Sequence, residues 1–252
     1  MTQVRRLRYL DRVGGIIGRV GPNGDSGVWS IHDRASDPYY SSVSLLLHMD
    51  GTNGSTTFTD SGPQNRTLTA GNGAGGSVAI STTQAQFGQS ALFTPNAWLS
   101  QSADMRFTGD YTLELWIYPA RVNVVQVLFN TGAESSGRVV FYLDSSGNLV
   151  IDRFGVGVLM TSSSGLSANV WSHIAWCRIG ITTRMFINGS LVGTNDTNTN
   201  LHGTLGNATS FRIGAANNGL SGFSGHMDEY RITRGIARYR SAFVVPPRAF
   251  LP

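Results

Sequence analysis

YTLELWIYP, residues 111–119, decides the fold class. In an extended chain successive side chains point to opposite faces. Tyr111, Leu113, Leu115 and Ile117 then lie on one side, and Thr112, Glu114, Trp116 and Tyr118 on the other. That alternation is the signature of a strand with one face against a core. Proline at 119 ends it.

The same reading extends outward in both directions. SLLLHMD (44–50), FGQSALFT (87–94), AWLSQS (97–102), VVQVLFNT (124–131), GRVVFYLD (137–144) and NLVIDRF (148–154) read as strands. SSGN at 145–148 is a turn between the last two. WSHIAWCRI (171–179) precedes TRMFINGSLVGT (183–194), where Asn188-Gly189 suits a type I′ hairpin. SFRIGAA (210–216) and HMDEYRITR (226–234) follow, and the prolines of the closing PPRAFLP forbid a central strand. About ten to twelve short strands and no long helix predict an all-β fold, a two-sheet antiparallel β-sandwich of jelly-roll type.

In HMDEYRITR, Tyr230 and Ile232 are expected on the core face and Glu229 with Arg231 on the other, where they are expected to pair. Adjacent Asp228 and Glu229 are expected to point to opposite faces. Trp98, Trp116, Trp171 and Trp176 lie within strand patterns and are read as core.

Charge divides the chain. Charged residues are only 13% of the sequence, against about 25% in a typical globular chain. All 19 basic residues are arginine. Arg5, Arg6, Arg8, Arg12 and Arg19 fall in the first twenty residues with one acid, Asp11, so that segment holds the entire net charge of +4. Were residues 4–13 helical, Arg5, Arg8 and Arg12 would lie within about 60° of one another. Leu7, Leu10 and Val13 would lie opposite, with Arg6 among them. The stretch from Ile16 to Ser42 has Gly, Pro and Asp at short intervals, and its scattered apolar residues, Trp29 included, need another surface to lie on. Residues 1–42 are therefore read as a basic anchoring arm and 43–252 as the folded domain. Arg5, Arg6, Leu7, Arg8, Leu10, Arg12 and Trp29 are the residues expected to dock on a protein partner. Nucleic acid is disfavoured, because no recognisable nucleic-acid module accompanies the arm.

Cys177 is the single cysteine, which rules out an internal disulfide and a stapled extracellular scaffold. No apolar run approaches the roughly 20 residues of a membrane helix. The expectation is a chain made in a reducing cytoplasm.

LLLHMDG, FTDSGPQN, FGQSALF, YTLELWIYP, WSHIAWCRIG, TRMFINGSLVG and FSGHMDEYRITRGIARY, in that order, resemble the laminin-G-like/concanavalin A-like jelly-roll family over about residues 43–250. The form with LLLHMDG at the front and DEYRITRGIARY plus a Pro-Pro tail at the back is similar to that of tailed-bacteriophage structural proteins. GVWSIHDR, 27–34, also resembles stretches that precede the jelly roll there. The resemblance implies a non-enzymatic virion protein, a capsid decoration or tail- or fibre-associated component, made in the bacterial host cytoplasm. Its partners would be other virion subunits, in a homo-oligomer or symmetric array. The alternative is a receptor-binding, lectin-like protein that recognises cell-surface glycans, with no particular residues assigned to the glycan. A glycan-degrading enzyme ranks below both. The family's glucanases carry Glu-x-Asp-x-x-Glu, and none of Glu114, Glu134 and Glu229 begins that pattern.

No cofactor is required by this reading, and calcium is the one candidate. The loop DGTNGSTTFTDSG offers Asp50, Asn53 and Asp60, oxygen donors of the right kind. Relatives join a loop aspartate to the first acid of the DE strand, Asp228 here. The same residues are also ordinary turn formers, and no His/Cys cluster suggests zinc.

Overall fold

The computed structural model describes residues 37–73, 75–101, 109–131, 138–196, 211–216 and 221–252. The arm residues Arg5, Arg6, Leu7, Arg8, Leu10, Arg12 and Trp29 lie outside them, as does Glu134.

A short 3-10 turn at Tyr40–Ser42 leads into the first of sixteen strands among the described residues. They are β1 (Val43–Leu47), β2 (Thr57–Thr59), β3 (Thr67–Asn72), β4 (Val78–Ser81), β5 (Ser90–Phe93), β6 (Ala97–Gln101), β7 (Tyr111–Pro119) and β8 (Gln126–Asn130). There follow β9 (Val139–Leu143), β10 (Asn148–Arg153), β11 (Gly157–Gly165), β12 (Ser172–Ile179), β13 (Thr182–Ile187), β14 (Ser190–Asn195), β15 (Phe211–Ile213) and β16 (Gly225–Arg234).

They form two eight-stranded sheets. The first runs β14-β13-β12-β7-β16-β5-β4. The ten-residue β16 is long enough for two neighbours on one side: its first half pairs β5 and its second half pairs β1. The second sheet runs β11-β10-β9-β8-β15-β6-β3-β2. Every named pairing is antiparallel, so the fold is the all-β sandwich that the alternation predicts.

The two sheets close on one apolar core. Leu113, Leu115, Ile117, Ile174 and Trp176 come from the first sheet, and Phe129, Phe141 and Phe211 from the second. Trp176 meets Phe141 across the core with ring centroids 4.8 Å apart. Tyr230 and Ile232 join them, as expected. The Asn188-Gly189 turn has positive φ at both positions, 48° and 77°, the type I′ geometry that matches strand twist.

Two expectations fail, each for a physical reason. Asp228 and Glu229 share a face. Met227 and Tyr230 are both in the core with two residues between them instead of one. A bulge at Glu229 (φ 50°) absorbs the extra residue, and the register against β7 slips between Asp228 and Arg231. Nor do all four tryptophans enter the core. Trp176 does, while Trp116 and Trp171 stand on the outward face of the first sheet, and Trp98 on that of the second. Trp98 lies across Gly71, where a Cβ would come within 2.2 Å of its indole nitrogen. The Arg212 guanidinium covers the other ring face at 4.0 Å.

A second, smaller apolar layer sits outside the first sheet. After β16 the chain turns back, and residues 236–250 lie over that sheet's outward face. Tyr239 and Phe243, stacked at 3.5 Å, pack on Ala175, Cys177 and Phe186. Phe250 packs on Val43 and Leu46.

Candidate functional site

The outward face of the first sheet is ordered in rows, because register fixes which side chains stand beside one another. One row is Trp171, Tyr118 and His226; the next is His173, Trp116 and Asp228; the third is Ala175, Glu114 and Arg231; the fourth is Cys177, Thr112 and Thr233. The tail closes the third and fourth rows. The first is left partly open: Tyr118 and Trp171 are half-buried, while His226, between them and Ser90, is 6% exposed.

Glu114 anchors the closed half. It is fully buried. Its Oε1 accepts from Arg231 Nε at 2.9 Å and lies 2.8 Å from Arg231 Nη2. Its Oε2 accepts the Tyr239 hydroxyl proton at 2.7 Å and lies 3.3 Å from His173 Nε2. Burial alone would raise its pKa, but Arg231, then His173 and Arg238, hold the carboxyl well below its ordinary range. The Arg231 guanidinium also stacks on Phe250 at 3.9 Å. Glu229 is not Arg231's partner. It takes His48 Nδ1 at 2.9 and 3.0 Å and the backbone N–H of Phe250 at 2.7 Å. Two carboxylates therefore hold the tail down.

Asp228 occupies the middle row. Its Oδ2 accepts the backbone N–H groups of Gln86 and Phe87 at 3.0 and 2.9 Å, and Phe87 seats edge-on against Trp116 at 5.7 Å. Its Oδ1 is buried without a partner, as are Trp116 Nε1 and His173 Nδ1 beside it. Burial first, then the neighbouring Glu229 charge, pushes Asp228 up to about 7 against the backbone bonds that lower it. The row is sealed beneath Phe87 on one side and the tail on the other.

The open row is aromatic. Tyr118 and Trp171 are half-buried, with ring centroids 5.5 Å apart and planes inclined by 50°. His226 completes a triangle, 6.1 Å from Tyr118 and 6.5 Å from Trp171. The tautomer of His226 follows from its neighbours. Ser90 Oγ gives its one proton to the Gln84 carbonyl at 2.5 Å, so His226 Nδ1 must donate to Ser90 Oγ at 2.8 Å. Burial lowers the His226 pKa, so the ring is neutral at pH 7 and Nε2 is a hydrogen-bond acceptor beside two aromatic faces. The rings of Tyr118 and Trp171 can stack on the C–H face of a sugar, and His226 Nε2 can accept a hydrogen bond from a hydroxyl.

The structure separates the calcium candidates. Asp60 Oδ1 accepts the N–H groups of Leu46 and Gly62, each at 2.8 Å, and Oδ2 lies 3.7 Å from Arg66. Asp50 Oδ1 accepts Gln89 N–H, and Asp228 is spent on the 86–87 backbone. Among the described residues no three Asp, Glu, His or Cys side chains gather as a metal group. Asp50, Asp60 and Asp228 each accept backbone N–H groups of loop segments.

Tyr118, Trp171 and His226 escaped the sequence reading as site residues. The signal was present: on YTLELWIYP, Trp116 and Tyr118 fall on the side opposite the leucines.

In solved structures the fold is similar to domain 4 of AbnA, a GH43 extracellular arabinanase from Geobacillus stearothermophilus, in complex with arabinotriose. The TM-score is 0.60 at 17% identity, over 77% of this chain and 93% of that one. The binding domain of botulinum neurotoxin serotype C1 is similar at TM-score 0.57 and 12% identity, over 77% of this chain and 49% of that one. The botulinum neurotoxin type G receptor binding domain gives 0.54 and 12%, over 78% and 48%. The chain thus spans about half the length of the neurotoxin structures, and at these identities the likeness is one of fold. No curated protein matches it in sequence. Residues 96–236, more than half of its length, match the profile of the Laminin_G_3 family, and the chain belongs to this branch of the Concanavalin A-like lectin/glucanases superfamily.

Proposed function

We propose that the sandwich is a non-enzymatic, lectin-like recognition module that binds carbohydrate on its open aromatic row. The observation that carries this is the Trp171–Tyr118–His226 triangle, two half-buried rings beside a neutral imidazole acceptor. The fold supports it: the similar arabinanase domain was solved with arabinotriose, and the neurotoxin domains are named for receptor binding. Burial supports the non-enzymatic part. Glu114, Asp228 and Glu229 are 0–1% exposed, so none of these three carboxylates is presented to a substrate. A glycan array probed with the protein should give saturable hits. Trp171→Ala should weaken them tenfold or more, the size of effect usual for a hot-spot aromatic. Hits unchanged in the variant, or shortening of a bound polysaccharide, would sink the proposal.

The arginine-rich leader favours a second, compatible reading of context. In it the module is displayed on a virion made in a bacterial host cytoplasm, as a capsid decoration or a tail- or fibre-associated protein in a homo-oligomeric or symmetric array. Residues 1–42 would dock on capsid or tail subunits through Arg5, Arg6, Leu7, Arg8, Leu10, Arg12 and Trp29. Deleting residues 1–20 should leave a folded sandwich that no longer joins particles, and undiminished incorporation would refute the arm's role.

A further inference from the structure

We infer that the ligand of the open row is a neutral, soluble polysaccharide chain, and that anionic glycans and flat crystalline polysaccharide surfaces are excluded. The inference rests on the carbohydrate reading and narrows it.

Charge argues for neutrality. A sugar carboxylate or sulfate is held best by an arginine fork. Neither of the row's two aromatic rings has an arginine over its face among the described residues, and its imidazole is uncharged at neutral pH. Arg231 of the third row and Arg238 of the tail are both turned toward Glu114. The acids nearest to His226 in sequence, Asp228 and Glu229, are buried, and Glu229 is paired with His48. A bound anion would find no guanidinium stacked on either ring of the row among the described residues. The one polar ring atom the row offers a ligand, His226 Nε2, is an acceptor that suits a neutral hydroxyl, and with the residue 6% exposed it would be reached only at the ring edge.

Ring geometry argues against a flat surface. The Tyr118 and Trp171 planes differ by 50°, Trp171 and His226 by 60°, and Tyr118 and His226 by 80°. A crystalline face can lie against only one such ring. A single chain whose residues turn relative to one another can place successive sugars on successive rings. The triangle is also small, with no side longer than 6.5 Å. Its footprint is short, and lengthening an oligosaccharide beyond it should add little affinity.

Electrophoresis of the full-length protein through native gels tests this, with arabinan, xyloglucan or galactomannan as neutral polymers and polygalacturonate or alginate as anionic ones. Sedimentation with crystalline cellulose and chitin completes the panel. The expected result is retardation by at least one neutral polymer, insensitive to salt and absent for the anionic and crystalline ones. Trp171→Ala and Tyr118→Ala should each weaken retardation tenfold or more, and Arg121→Ala, at the exposed arginine nearest in sequence, should leave it unchanged. Trp171→Phe supplies a graded loss should either truncation unfold the chain, which circular dichroism would show. Retention by anionic or crystalline polymers that the aromatic variants abolish would overturn the neutral, single-chain class while leaving the carbohydrate reading standing. Retention by nothing, or retention indifferent to both aromatic variants, would overturn the carbohydrate reading and this inference with it.

Discussion

Asp228 and Glu229 are neighbours in sequence with opposite electrostatic lives. Glu229 is answered by His48, and the bond to Glu229 raises the His48 pKa above 6.5 despite burial. Asp228 has only backbone donors and is pushed up to about 7 from 3.8. Both folded values are raised. Each group therefore contributes stability that is complete below its unfolded pKa and lost as pH rises through its folded one. For Asp228 that window runs from about 4 to about 7. His226, with its lowered pKa, works the other way below 6.5. The difference between wild type and Asp228→Asn isolates the first effect. Thermal midpoints should converge or cross as pH is raised from about 5 to about 8, the wild type losing more than the variant. Parallel curves would contradict the assignment.

Glu114 has the opposite sign. Its lowered pKa gives stability present above 4.5 and lost only in strong acid. Removing its charge at neutral pH leaves Arg231 buried without its main anion. Glu114→Gln should cost about 3–5 kcal/mol in denaturant unfolding, the usual range for breaking a buried pair from one side.

At the level of elements, the chain's legibility follows side-chain chemistry. Strands with an apolar face, β7 and β12 above all, were evident because one side of each must enter the core. β3 (TLTAGN) and β11 (TSSSG at its end) were not read, because they are polar edge-region strands held by ladder hydrogen bonds that leave no hydrophobic period. The bulge at Glu229 was equally silent: one residue in the left-handed region flips a face, and the letters DEY carry no glycine to announce it. The tail was read only negatively, from its prolines. What seats it is tertiary. Gly189 shows this: at φ 77° in its hairpin, its position also abuts the Phe243 carbonyl, so that a Cβ would approach within 2.0 Å. Gly189→Ala combines backbone strain with a clash and should cost at least about 1–3 kcal/mol. Tyr239 and Phe243 should become more exposed to quenchers at the same time.

For the whole molecule, the sandwich and the basic leader are separate in composition, and contacts group Pro38–Phe250 as one unit. A chain starting at Pro38 should fold in one cooperative transition with a midpoint close to that of the full-length protein; a broad or missing transition would show that the sandwich needs its leader. The two-sheet architecture was legible because every strongly alternating segment agreed on it. The binding face was not, since an aromatic on a strand reads as core until the register shows which side of the sheet it occupies. Trp116 and Trp171 were mistaken for core in this way, and Tyr118, though on the polar side of its strand, was passed over.

The lone thiol follows from the way the tail is laid down. Cys177 is 1% exposed beneath Tyr239 and Phe243, and burial first among several causes pushes its pKa up to about 12. Only the thiolate alkylates readily. With no second cysteine to confuse the signal, the rate of iodoacetamide capture becomes a stopwatch for how often the closing segment lifts, readable in the unmodified natural sequence.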